Sequence, residues 1–148
     1  MPVLPITSIF AAVSALALVA LSIPVSLRRT KVGVMAGECP DETLHRRIRA
    51  QGNFIEYVPL GLISLGLVEA QAAQAWMVVV IGTILAFGRL LHAIGMLRGS
   101  PPVRGFGMLF TYLALVVAAG RLLLDTGSWR NGDDRRERRL RPQAGNER

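Results

Sequence analysis

Residues 5–27 read PITSIFAAVSALALVALSIPVSL, and the fold is decided by this stretch. No charged side chain occurs in it, or anywhere from Met1 to Leu27. An α-helix needs about 20 predominantly apolar residues to cross the hydrocarbon core of a bilayer, and the segment supplies them. A secretory leader would carry positive charge ahead of a shorter apolar region. Here Arg28, Arg29 and Lys31 follow the apolar region instead, so it reads as a retained transmembrane helix. Pro24 has no N–H to donate and is expected to bend the last turn.

Downstream, three more apolar segments appear. The second covers about 50–68, with Glu56 as its only charge and Pro59 as an expected kink. The third covers about 72–97 and contains the uncharged run AWMVVVIGTILAFG. The fourth covers about 105–124. Gly33, Gly37 and Pro40 break the polar loop at 28–49, where Asp41 or Thr43 is placed to cap the next helix. Glu69, Gln71 and Gln74 mark a short turn, and Pro101 and Pro102 lie in a loop at 98–104. The expectation is an all-α integral membrane four-helix bundle over residues 1–124. The charged tail, 125–148, has too little apolar surface to offset its ordering entropy and is expected to be disordered.

Composition agrees with this division. The 148 residues are 51% hydrophobic and 18% charged, with mean hydropathy +0.41. The net charge of +7 belongs to the loops and tail: eight of the 17 Lys and Arg fall in the 28–49 and 98–104 loops, and seven between Arg130 and Arg148. Four spans place those two loops on one side, and the positive-inside rule makes that side cytoplasmic, in a bacterial inner membrane or its equivalent. So apolar a chain is not a soluble nucleic-acid reader; basic loops beside spans face lipid phosphates. The single cysteine, Cys39, excludes an internal disulfide and reads as an inert loop thiol, and no His or Cys cluster suggests a metal site.

Three charges lie within spans: Glu56, Arg89 and Arg121. Charges in lipid are costly and turn to the bundle interior, a partner or the interface. Arg121 is near a helix end and can snorkel. Arg49, Asn53 and Glu56 are spaced i, i+4, i+7 and share one helical face. They offer a guanidinium, an amide and a carboxylate to a ligand, unless Glu56 simply pairs with Arg89. Arg89, His92 and Met96 repeat the pattern on the third span. The residues imply a polar pocket between the second and third helices, open to the basic side, suited to an anionic ligand with carboxylates. A small transporter remains open on the same charges, though no inverted repeat supports one.

The run Arg49-Ala50-Gln51-Gly52-Asn53-Phe54-Ile55-Glu56-Tyr57-Val58-Pro59-Leu60 resembles the signature of the MAPEG family, the membrane-associated proteins of eicosanoid and glutathione metabolism. Arg28-Arg29 before it, Gly88-Arg89-Leu90-Leu91-His92 after it and the four-span layout are similar as well. The resemblance implies a homotrimer with glutathione, a co-substrate, bound between neighbouring subunits. By position, Arg28, Arg49, Gln51, Asn53, Glu56, Tyr57 and His92 would bind it, Glu56 at the amino group and arginines at the carboxylates. Arg104 would stabilise the thiolate, with Arg98 as the alternative across the Pro-Pro loop. Met96 stands where the family's eicosanoid enzymes have a Tyr. The implied activity is a glutathione-dependent transferase or peroxidase acting on lipophilic electrophiles. The alternative is a non-catalytic lipid-binding or scaffold protein of the same fold.

Overall fold

The computed structural model describes residues 4–37 and 40–140, with side chains as far as residue 125. Cys39 and residues 141–148 lie outside the described residues. Four helices follow one another: α1 (Pro5–Val32), α2 (Glu42–Ala70), α3 (Ala75–Arg98) and α4 (Pro101–Leu140). Each contains a segment long and apolar enough to cross a membrane, that of α4 ending at Asp125. Short connections alternate the helix directions, bringing the C-termini of α1 and α3 and the N-termini of α2 and α4 to one end, where the loop arginines lie.

The helices extend further into the polar segments than hydropathy suggests, because their ends are capped. Gly33, at φ 75°, ends α1 in the left-handed conformation that glycine adopts without penalty. Val34 then donates to the Arg29 carbonyl and Gly33 to that of Thr30, closing a Schellman motif. Gly99, at φ 66°, ends α3 in the same way, with Ser100 donating to Gly95. The Asp41 carboxylate caps α2 by accepting from the Leu44 N–H at 2.6 Å. The basic residues assigned to a loop at 28–49 are therefore helical: Arg28, Arg29 and Lys31 on α1, and Arg46, Arg47 and Arg49 on α2. Arg104 likewise belongs to α4, which opens on Pro101 and Pro102, residues that suit a first turn because its N–H groups have no helical acceptor.

At the other end, the Glu69 carboxylate reaches back to α1 and accepts from the N–H groups of Ile6 (2.9 Å) and Thr7 (2.8 Å). It satisfies two donors that every helix N-terminus leaves open. The apolar core sits near this end, where Leu65, Val68, Val78, Ile81 and Ala118 pack together. Helix α1 is attached sparsely; among its residues only Thr7 and Val25 are buried.

The helix α4 corrects one expectation. Its backbone stays helical to Leu140, past the end expected near Leu124. Charged composition denies residues 125–140 a core of their own, but Arg, Glu and Leu are good helix formers. Extending an existing helix also avoids the nucleation penalty.

The closest packing is between α3 and α4, where glycines let the backbones touch. A β-carbon on Gly88 would come within 2.9 Å of the Thr111 backbone nitrogen. One on Gly95 would run into the Arg104 backbone, and one on Gly107 into that of His92. Small residues at such crossings are the usual route to close helix packing in membranes. Here they set His92 and Arg104 on adjoining turns.

Candidate functional site

At the basic end, α2, α3 and α4 enclose a cleft of about 760 Å³. Helix α2 contributes Arg49, Asn53 and Glu56, α3 contributes His92 and Met96, and α4 contributes Arg104 and Met108. Five of the residues singled out in the sequence, Arg49, Asn53, Glu56, His92 and Arg104, thus line one cavity. Arg98 does not line it.

Arg49, Glu56 and Arg104 are exposed, and none makes an ion pair among the described residues. Arg104 Nη1 instead lies 3.9 Å from the Met96 sulfur, a weak acceptor. Two guanidinium groups and one carboxylate therefore face a shared space with their charges uncompensated. Arg46, also on the wall, is paired with Glu42 one turn away.

Arg89 does not pair with Glu56. It is 3% exposed and, among the described residues, held by neutral groups. Its Nε donates to Thr111 Oγ1 at 2.9 Å, and its Nη1 to Asn53 Oδ1 at 2.6 Å and to the Asn53 carbonyl at 3.3 Å. Nη2 lies 3.5 Å from the Met108 sulfur, and the guanidinium sits 5.1 Å from the centre of the Tyr57 ring. Thr111 passes its own proton to the Gly107 carbonyl at 2.9 Å. This chain of contacts fixes Asn53 at the edge of the cleft and leaves the Glu56 carboxylate unclaimed.

The remaining candidates point elsewhere in the single chain. Arg28 grips Asp41 through two hydrogen bonds, at 2.6 and 3.2 Å. That guanidinium, and then the Leu44 N–H, hold the Asp41 carboxyl below the usual carboxylate range. Gln51 donates to Ser22 Oγ on α1 at 2.7 Å. The Tyr57 hydroxyl lies 3.4 Å from that of Tyr112. None of the three lines the cleft.

Sequence reasoning missed Glu42, His45 and Arg46 on the cleft wall and Thr111 behind it. Glu42, Arg46, Arg49, Asn53 and Glu56 form one stripe at alternating steps of four and three. That stripe was hidden by placing the start of the second span at residue 50. Nothing in the sequence marked Thr111, an uncharged residue in an apolar helix.

A membrane protein of four antiparallel spans with an arginine-rimmed cleft at its basic end is the class that these observations define. The chain belongs to the MAPEG family, whose sequence model matches residues 7–124. It is similar to the inner membrane protein YecN of Escherichia coli strain K12, at 32% identity over 112 residues, covering 76% of this chain and 86% of that protein. The counterpart from a second E. coli strain matches to the same extent. With its four apolar helices, the chain is a multi-pass integral protein of the inner membrane.

Proposed function

We propose that the protein is a membrane-bound glutathione-dependent transferase or peroxidase that acts on lipophilic electrophiles. One observation carries this reading: two uncompensated guanidinium groups and one uncompensated carboxylate converge on a single cleft from α2 and α4, with His92 of α3 beside them. Glutathione is their complement, with two carboxylates, one ammonium and a thiol. In this reading Arg49 meets a carboxylate, Glu56 the ammonium and Asn53 a peptide group, with His92 beside them and Arg104 nearest the sulfur.

A free thiol has a pKa of roughly 8.5 and is mostly protonated at neutral pH. A guanidinium beside it favours the thiolate, which is the nucleophile. The thiolate sulfur then bonds to an electrophilic carbon, while the leaving group departs with its electron pair or an opened ring oxygen takes up a proton. The electrophile enters from the bilayer and the thiol from the water at the basic end, which we assign to the cytoplasm.

The reading includes a homotrimer. Arg28 and Gln51 bond to the α1–α2 connection and to α1, away from the cleft of their own chain. A neighbouring copy is the means by which they would reach a ligand there. Met96 favours a second reading, a non-catalytic binding protein or scaffold, because its sulfur rather than a hydroxyl faces Arg104.

The test is to scan purified protein with glutathione for thiolate absorbance and then add 1-chloro-2,4-dinitrobenzene. A thiolate band that the electrophile consumes is expected. Glutathione binding without a thiolate band and without turnover would favour the scaffold.

A further inference from the structure

We propose that the groove between α1 and α3 holds one anionic phospholipid of the surrounding bilayer, with its phosphate at Arg47 and an acyl chain in the apolar cavity below. Two cavities carry the argument. One, of about 460 Å³, is enclosed by α1, α2 and α3 and is almost wholly apolar, with Phe10, Ala17 and Ala86 in its wall. The other, of about 330 Å³, lies at the basic end and is walled by Arg46 and Arg47. Both are lined by Ala20 and Leu21, so they abut along α1. Together they run from a cationic mouth into a hydrocarbon-like interior, the polarity profile of a single lipid. Basic pockets between transmembrane helices are where anionic headgroups bind, and the deeper cavity is of ligand size.

Arg47 is the distinctive group. It is half-buried, and its Nη1 donates to the Pro24 carbonyl at 3.0 Å, which orients the guanidinium at the mouth. It makes no ion pair among the described residues, whereas Arg46 is paired with Glu42. Among the described residues no carboxylate lines this mouth, in contrast to the cleft that holds Glu56; Asp41, whose charge Arg47 also feels, is held by Arg28. The mouth therefore complements a phosphate and not a zwitterion with an ammonium group to bind. The two residues that the test changes, Arg47 and Ala17, line no part of the glutathione cleft, whose wall this mouth shares through Arg46.

Native mass spectrometry of the full chain tests the proposal, with equimolar phosphatidylglycerol and phosphatidylcholine of identical acyl chains. Wild-type protein should retain phosphatidylglycerol preferentially, at one lipid per chain. R47Q should lower that preference about fivefold, the effect of one basic group at a lipid headgroup. A17F should lower the occupancy of both lipids by filling the cavity. R47Q leaves the apolar cavity unfilled and stays informative if A17F does not fold. Equal retention of both lipids, retention of none, or unchanged preference in R47Q would overturn the proposal. Displacement of phosphatidylglycerol by equimolar oleate would also overturn it, because a single-chain amphiphile would then be the occupant.

Discussion

Arg104 and Arg98 lie six residues apart on either side of a Gly99-Ser100 link, yet only Arg104 lines the cleft. If Arg104 acts on the bound sulfur, Arg104→Ala should lower turnover with glutathione by about a hundredfold or more, the scale of losing one preorganised charge-stabilising group. Affinity should change little, because Arg49 still meets a carboxylate. Arg98→Ala should leave both nearly unchanged, and steady-state kinetics on the two variants reads the difference. Glu56 is the complementary case. Glu56→Gln keeps the shape and removes the charge, so glutathione binding measured by calorimetry should weaken by about 1.5–3 kcal/mol. Unchanged binding in a folded Glu56→Gln protein would remove the ammonium contact from the mechanism.

At the scale of elements, the start of α2 is tied to α1 by the Arg28–Asp41 pair. Asp41 has a lower pKa in the folded chain than in the unfolded one. As pH falls, the unfolded state takes up the proton first. The stability that this group contributes is therefore present in full above its unfolded pKa of about 3.9 and is lost as pH falls through the lower folded value. Thermal unfolding in detergent should show this acid-sensitive component in the wild type, and Asp41→Asn should abolish it while lowering stability at neutral pH. The four spans were legible in the sequence because continuous apolar length is a strong signal. The cap of α2 was legible at Asp41, whereas the ends of α1 and α3 were not, because Gly33 and Gly99 determine them by left-handed backbone rather than by hydropathy. The stripe Arg49-Asn53-Glu56 was legible from its period. His92 was joined to it by the matching pattern on the third span, but Arg104 only by resemblance, since the close α3–α4 approach depends on glycines whose contacts no period reveals. Glu69 read as a turn marker, and its role at the start of α1 needed three dimensions.

For the whole molecule, the division of the candidate residues between two sides of α2 makes assembly testable. Arg104→Ala and Gln51→Leu are expected to impair the same ligand site from different copies. When the two variant chains are co-expressed equally, random assembly of trimers gives about a quarter of the sites both native contributions. Turnover at limiting glutathione should recover towards that fraction. No recovery above the mean of the two variants would assign each site to a single chain. Mass measurement in mild detergent should give three chains, and a monomer alone would count against both the assembly and a shared site.

The Arg89 anchorage also bears on how the chain is built into the bilayer. A lone arginine at the centre of a nascent transmembrane helix costs about 2.5–3.5 kcal/mol during insertion. The group that receives Arg89 Nε is Thr111, on the helix made next, across a link of only Gly99 and Ser100. Asn53, which receives Nη1, is on the helix made just before. Helix α3 is therefore a poor candidate for leaving the translocon alone. It becomes acceptable to lipid as one arm of a hairpin whose second arm shields its charge, so biogenesis couples α3 to the arrival of α4.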